Sequence, residues 1–341
     1  MSNVKLITSS QAISMFQNKL KWFNRRWYLI IVFVLLTFIS LLVGVLDLTL
    51  IDLLKGDAAA WNVLWISRVP RTVAIILTAS SLSIAGLIMQ SISRNKFISP
   101  STAGTTNAAI LGVLIGYLIM GNQTTLIRSI FAFAFALVST LIFMLMLKKI
   151  KFKNVIYVPL IGMMYGAMIS SIATFIAHRY NAIQFLNTIG IGGFSNKAIG
   201  SYELLYLVIP AVILAIVYAT RFSIAGMGED FAKNLGVSYG FVIGVGLIII
   251  AVVSSITFVM VGTLPFVGLI VPNLVSYYYG DHVKKTIVDI ALFGSSFVLL
   301  NDIISRIIVF PYEISISFTM GVTGAIIFLL IIFRRMKHAT S

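Results

Sequence analysis

Charged side chains whose spacing could support chemistry are few in this sequence. Asp302 and Arg306 stand four residues apart, which places them on one face of a helix, where they could form an ion pair. Arg68 and Arg71 flank Pro70 and form a second basic feature, which could be either an interfacial anchor or a docking site. As a proton relay the Asp302 pair is weak, because no ionisable residue marks the middle of a predicted membrane span.

The usual motifs of enzymes are missing. No glycine is followed by lysine, so the sequence has no GxxxxGK[ST] phosphate loop and does not predict ATP hydrolysis by that route. Cysteine is absent, which excludes disulfides, thiolate metal ligands and a cysteine nucleophile. The histidines occur at predicted span ends or in tails, without an HExxH motif or a carboxylate cluster. We therefore predict no catalytic residue, no metal site and no cofactor.

The elements that position these residues are membrane spans. Of the 341 residues 59% are hydrophobic and 10% are charged, against about a quarter charged in soluble domains. This composition excludes a soluble globular protein and predicts an all-α polytopic membrane protein with about ten transmembrane helices. The apolar runs lie at about 28–45, 72–92, 102–120, 127–147, 155–177, 203–220, 240–262, 264–279, 286–304 and 316–333.

The basic residues are distributed unevenly between the two sides of these spans. Lys and Arg outnumber Asp and Glu by 25 to 10, a balance that in a soluble chain would suggest nucleic acid as a partner. With the N-terminus inside, 18 of the 25 basic residues fall on inner segments, as the positive-inside rule requires. The excess therefore indicates topology, with no nucleic acid as partner. We predict a cytoplasmic segment 1–27, one transmembrane domain 28–333 and a cytoplasmic tail 334–341.

Two loops carry structure signals of their own. The longest inner loop, 221–239, has Glu229 and Asp230 where a helix would begin and Gly236 where it would end. The outer segment 180–202 is too long for a tight turn and predicts a short or re-entrant helix. A membrane protein with a structured inner loop, outer arginines and no nucleotide site is typical of a channel-forming subunit driven by partners on both faces.

Three blocks of sequence form a recognisable pattern. They are Arg68-Val-Pro-Arg71 with Ala85-Gly86-Leu-Ile-Met-Gln90, Arg94-Asn95, Pro100, Gly104 and Asn107-Ala108; then Gly228-Glu229, Ala232 and Leu235-Gly236-Val237; then Gly262, Phe266-Val-Gly268-Leu-Ile-Val-Pro272-Asn273, Gly280-Asp281-His282, Asp302 and Arg306. These blocks, in this order, resemble the FecCD or BtuC-like permeases of ABC importers, which take up iron-siderophores, haem or cobalamin. The chain departs from the family pattern at Ala85, Lys96 and Asn273.

The resemblance implies a BtuC-like permease in a bacterial cytoplasmic membrane with both termini cytoplasmic. Its partners would be a second permease subunit, identical or related, two cytoplasmic ATP-binding subunits and an extracytoplasmic substrate-binding protein. The transported ligand would be an iron-siderophore, with haem or cobalamin as the alternative. Docking of the binding protein is expected at Arg68, Arg71 and Arg306. Coupling to the ATPase is expected at Gly228, Glu229, Asp230, Phe231, Ala232, Leu235 and Gly236.

The translocation path is expected along the fifth, eighth and tenth spans. Candidate lining residues are Met163, Met164, Met168 and Asn273, since a bulky chelate needs a wide path with weakly interacting walls. Two functions of other classes are the alternatives, and the residues argue against both. An ion-coupled secondary transporter would work without an ATPase, but its coupling site would be expected near the membrane midplane, where the sequence places no ionisable residue. A membrane-embedded enzyme would need clustered His, Asp or Glu at one depth, which the sequence lacks.

Overall fold

The computed structural model describes residues 9–44, 50–121, 124–149, 157–280 and 282–339. Predictions for the chain ends 1–8 and 340–341 and for Lys5, Lys151, Lys153 and Asp281 lie outside these residues. Within the described ranges the chain is helical and has no β-strand.

Fourteen α-helices, ten long and four short, make up the described chain, together with one π-helical and one 3-10 segment. They are α1 Ser9–Leu42, α2 Leu50–Leu54, α3 Ala58–Val63, the π segment Leu64–Arg68, α4 Val69–Ser93, α5 Thr105–Met120, α6 Thr125–Lys149, α7 Tyr157–Arg179, α8 Ile183–Gly190, the 3-10 segment Glu203–Leu207, α9 Val208–Ala225, α10 Glu229–Asn234, α11 Tyr239–Val261, α12 Val267–Tyr279, α13 Val283–Ile307 and α14 Ile316–Ala339.

The ten long helices correspond one to one with the predicted spans, and α8 is the short helix expected in the outer segment. Among the described residues, six helical stretches are long and apolar enough to cross a membrane, and three shorter apolar helices accompany them. The remaining helix, α12, begins three residues after the predicted start, because Phe266 has a left-handed φ of 67° and caps it. The chain is thus a multi-pass membrane protein.

Helix α4 lies at the centre of the bundle and contacts α9, α11, α12 and α13. Gly86 permits the close crossing with α12, because a Cβ at this position would clash with the backbone of Gly268. Helices in lipid associate through such close backbone approach, because lipid tails are as apolar as the helix side chains and no hydrophobic effect drives the helices together. The 25 residues of α4 correspond to a length of about 37 Å, so it joins the two ends of the bundle.

Basic residues that the sequence assigns to opposite sides of the membrane also separate in the structure. On the predicted inner side, Arg26 pairs with Asp289 near the start of α13, and Lys96 donates to Ser276 near the end of α12. On the predicted outer side, Arg71 and Arg306 meet at the other end of α13. This grouping agrees with an odd number of crossings between the two sets.

Candidate functional site

The outer end of the bundle contains a buried ion-pair cluster, formed by Arg68, Arg71, Asp302, Arg306 and Glu313. Arg71, in the first turn of α4, lies between two carboxylates from distant parts of the chain. Its Nη2 is 2.8 Å from Asp302 Oδ1, and its Nη1 is 2.7 Å from Glu313 Oε1. Arg306 Nη2 is 2.7 Å from the second oxygen of Asp302, so the pair predicted from the four-residue spacing is present.

The same cluster closes the carboxyl end of α1. Arg68 Nη1 donates to the carbonyl oxygen of Val43 at 2.7 Å, and Arg306 Nη1 donates to the carbonyls of Val43 and Ser40. The last carbonyls of a helix have no partner within the helix and carry its negative dipole end. The two guanidinium groups therefore donate hydrogen bonds to these carbonyls and also stabilise the negative end of the helix dipole.

The three outer arginines are buried. The exposed fractions of Arg68, Arg71 and Arg306 are 6%, 7% and 2%, and their guanidinium groups contact this chain's own carboxylates and carbonyls. The structure thus shows a buried cluster where the sequence left an interfacial anchor and a docking site as the alternatives for Arg68 and Arg71. Their part in docking stays a prediction.

A cavity of about 590 Å³ lies beside the cluster and opens at the same end. Arg71, Asp302 and Glu313 form part of its wall, and Arg128 and Lys197 add two further positive charges. Burial lowers the pKa of Lys197, since removal from water disfavours its charged form. The cavity could not be predicted from the sequence, because the elements that form it are far apart along the chain.

The inner loop folds into the short helix α10, where the sequence predicted it. Glu229 and Asp230 occupy its first turn, and Glu229 Oε1 pairs with Lys233 Nζ at 3.0 Å across one turn. This hydrogen bond raises the pKa of Lys233. The helix ends at Asn234, and Gly236 follows with a φ of 71° and donates to the carbonyl of Lys233.

Helix α10 has a buried face and a presented face. Ala232 is fully buried against the bundle, whereas Phe231 and Leu235 are 47% and 55% exposed. Met227, 59% exposed, precedes them on the same loop. Exposed apolar side chains rimmed by charged residues mark surfaces that bind other proteins. The arrangement fits a contact site for a partner protein.

The loop that carries α10 lies beside the carboxyl end of the central helix. Arg94 caps α4 in the left-handed region, with a φ of 50°. A Cβ on Gly228 would lie 3.1 Å from Arg94 Nη1, and the φ of Gly228 is 122°, a conformation that favours glycine. Thus one helix has the outer cluster at its first turn and the α10 loop at its last.

The four predicted path residues do not come together. Met163, Met164 and Met168 are 53%, 67% and 55% exposed on α7, where they form one apolar surface. Asn273 is 2% exposed within α12, and its side-chain amide donates to the carbonyls of Lys96 and Leu269 at 2.6 and 2.7 Å. Asn273 therefore connects α12 to the loop after α4, and its place in a path stays a prediction.

Two of the departures from the family pattern are neighbours in space. The carbonyl of Lys96 accepts from Asn273, and its ammonium donates to Ser276 Oγ at 2.9 Å. Since Asn273 and Ser276 stand one turn apart on α12, the two hydrogen bonds hold Lys96 against one face of this helix. Local sequence patterns gave no sign of this contact, which joins residues 177 and 180 positions apart.

Several curated proteins are similar to this chain over most of its length. The petrobactin import system permease protein YclN of Bacillus subtilis is 48% identical over 92% of this chain and 99% of that protein. The ferric-anguibactin transport system permease protein FatD of Vibrio anguillarum is 40% identical, covering 82% and 88% of the two chains. The petrobactin import system permease protein YclO of Bacillus subtilis is 25% identical, covering 88% and 98%.

The fold also has a solved counterpart. A metal-chelate type ABC transporter in an inward-facing conformation matches with a TM-score of 0.77, covering 90% of this chain and 98% of that one. At 20% identity this likeness shows the fold alone. The FecCD transport family matches residues 31–334, which include the outer cluster, α10 and the ten long helices apart from residues 9–30 of α1 and 335–339 of α14. This chain belongs to the FecCD transport family.

Proposed function

We propose that this chain is the permease subunit of an ABC importer and that it carries an iron-siderophore complex into the cell. The observation that supports this most strongly is the family match over residues 31–334. Relatives 48% and 40% identical are named for the import of petrobactin and ferric-anguibactin, both iron-siderophore cargoes. The ferric petrobactin complex is the first cargo to test, since the relative named for it covers nearly the whole chain.

Energy enters, in this proposal, through α10. Its presented face, Phe231 and Leu235, packs into a groove of a cytoplasmic ATP-binding subunit, while Ala232 transmits the movement to the bundle. Exposure of these apolar side chains and burial of Ala232 support this assignment. Gly228, Glu229, Asp230 and Gly236 set the geometry of the helix ends, as their positions in the first turn and after the last turn indicate. Both chain termini lie on the same, cytoplasmic side.

The outer end receives the extracytoplasmic binding protein. The cavity beside the ion-pair cluster has room for an acidic side chain, and Arg128 and Lys197 in its wall provide positive charge that the two carboxylates do not cancel. Arg68, Arg71 and Arg306 contribute to docking indirectly. The ion-pair cluster adds to the electrostatic field in the cavity and shapes the cavity wall. Charge complementarity of this kind speeds association and orients the partner.

The path runs past α7, whose three exposed methionines would face it. Methionine is flexible and polarizable and can contact cargoes of irregular shape. A path between two permease subunits explains why this apolar surface has no cover in a single chain. Asn273 would act on the path indirectly, by holding α12 against the loop at Lys96.

The second permease subunit is a related chain, in this proposal. Bacillus subtilis has two proteins named as petrobactin import permeases, and this chain is 48% identical to one and 25% identical to the other. Such unequal similarity is expected when two different subunits form one translocation unit. A copy of this chain is the alternative that co-purification tests directly.

A growth experiment tests the proposed cargo. A deletion strain supplied with ferric petrobactin as its only iron source should stop growing and recover when the gene is returned. Growth on haem should stay unchanged in the same strain, which serves as the matched control. Loss of growth on haem with normal growth on every siderophore would contradict the proposed cargo.

A further inference from the structure

An apolar groove of about 350 Å³ lies between α1 and the helices α12 and α13, near the predicted inner membrane surface. Leu29, Val32, Val275 and Phe293 form its walls. Tyr28, 70% exposed, lies within α1 at the predicted start of the first span, and Tyr278, 54% exposed, lies at the end of α12. Tyrosines with an apolar ring and a polar hydroxyl are typical of the membrane–water interface. The groove thus extends from the interface into the apolar layer.

An ion pair fixes the width of the groove at this end. Arg26 Nε is 2.7 Å from Asp289 Oδ1, and its Nη2 donates to the carbonyl of Lys285 at 2.9 Å. Asp289 is completely buried, so α1 is held against the first turns of α13. The groove is therefore part of the folded subunit. The volume of the groove is smaller than that of one turn of a helix about 10 Å across, so the groove cannot hold a partner helix.

Two lysines lie near the predicted inner end of the groove, although neither is part of its wall. Lys284 and Lys285 are exposed in the first turn of α13, and neither forms an ion pair with a described residue. The carbonyl contact with Arg26 places this turn beside the part of α1 that precedes the predicted first span. Apolar walls, tyrosines and lysines thus follow one another from the membrane interior outward, which is the order of acyl chain, glycerol and phosphate in a phospholipid.

We propose that the groove binds an anionic phospholipid, with an acyl chain against Val32 and Phe293 and the phosphate against Lys284 and Lys285. Basic residues at the cytoplasmic ends of transmembrane helices bind anionic head groups in this way, and each lysine near the surface contributes about fivefold to the affinity. The bound lipid would fasten α1 to α12 and α13. This site is independent of the cargo and of the ATPase.

Lipid retention by the purified importer tests the charged half of the site. The complex is exchanged into detergent with phosphatidylglycerol or phosphatidylcholine of identical acyl chains, and bound lipid is counted by native mass spectrometry. Phosphatidylglycerol should be retained, and K284Q with K285Q should weaken its binding roughly 25-fold. The control pair K55Q and R179Q, two exposed residues of the predicted outer side, should leave binding unchanged. Equal retention of both lipids would overturn the proposal.

A second pair of variants tests the apolar half. Val32→Trp fills the groove and should reduce phosphatidylglycerol retention with both lysines present. Val34→Trp, at an exposed position of α1 outside the groove wall, is the matched control. Glycerol phosphate without acyl chains should fail to displace the lipid. Displacement by glycerol phosphate at equal concentration would show a soluble-phosphate site and overturn the proposal, as would a protein cross-link from the second permease to Val32→Cys.

Discussion

At the level of single residues, buried arginine side chains stabilise the outer end of the bundle. Removing a guanidinium or a carboxylate from water costs several kcal/mol. Only ion pairs and hydrogen bonds with good geometry offset this cost. Arg71 meets two carboxylates, and Arg306 meets one carboxylate and two helix-end carbonyls. Arg71 and Arg306 therefore form mutually stabilising ion pairs with the two acids, and Arg68 donates to a helix-end carbonyl beside them. Removal of one member of an ion pair leaves its partner buried without a counter-charge.

Replacing Arg71 by Gln should lower the free energy of unfolding by about 3–5 kcal/mol, because Asp302 loses one of its cations and Glu313 loses its partner. The thermal unfolding midpoint of the purified protein measures this loss. Arg179→Gln is the control, since Arg179 is exposed at the end of α7 and its loss should cost less than about 0.5 kcal/mol. Equal midpoints in the two variants would contradict a stabilising cluster.

At the scale of elements, α10 and α4 connect the predicted partner surfaces. Ala232 sits against the bundle while Phe231 and Leu235 face outward. The α10 loop abuts Arg94 at the end of α4, and the other end of α4 carries Arg71. A movement of α10 thus has a continuous helical connection, about 37 Å long, to the outer cluster.

Replacing Phe231 and Leu235 together by Ser should abolish stimulated transport and leave membrane insertion intact, because the presented face loses its apolar contact with the ATPase. Transport and ATP hydrolysis, measured on the same vesicles, should separate, with hydrolysis continuing while uptake falls at least tenfold. Lys233→Gln is the control on the same helix. It breaks only the exposed pair with Glu229, and exposed pairs contribute little. Wild-type uptake in the double variant would exclude α10 as the coupling helix.

The elements were largely predictable from the sequence, and the contacts between them were not. Hydropathy and basic residues predicted ten helices, and the acids and glycine of the inner loop predicted α10. The spacing of Asp302 and Arg306 predicted a pair within one helix. Glu313 pairs with Arg71 across 242 positions, and Asn273 bonds to Lys96 across 177. Such pairings depend on how helices cross, which no local pattern encodes, and they decide which charges are buried.

At the scale of the whole molecule, the absence of cysteine makes the predicted orientation easy to test. Asn196 and Asn234 are both exposed, one in the outer loop after α8 and one at the end of α10. In intact cells a membrane-impermeant maleimide should label Asn196→Cys and should not label Asn234→Cys until the membrane is opened. The unmodified chain has no thiol and gives the background. The opposite labelling pattern would invert the topology and place α10 outside.

The central claim is that this chain takes up an iron-siderophore with energy from an ATP-binding partner. The most direct measurement is uptake of iron-loaded petrobactin into vesicles that contain this chain, its second permease and the ATPase, with the loaded binding protein outside. We expect accumulation only with ATP in the lumen and none when Phe231 and Leu235 are replaced by Ser. Uptake by this chain alone, driven by an ion gradient without ATP or the ATPase, would contradict the central claim.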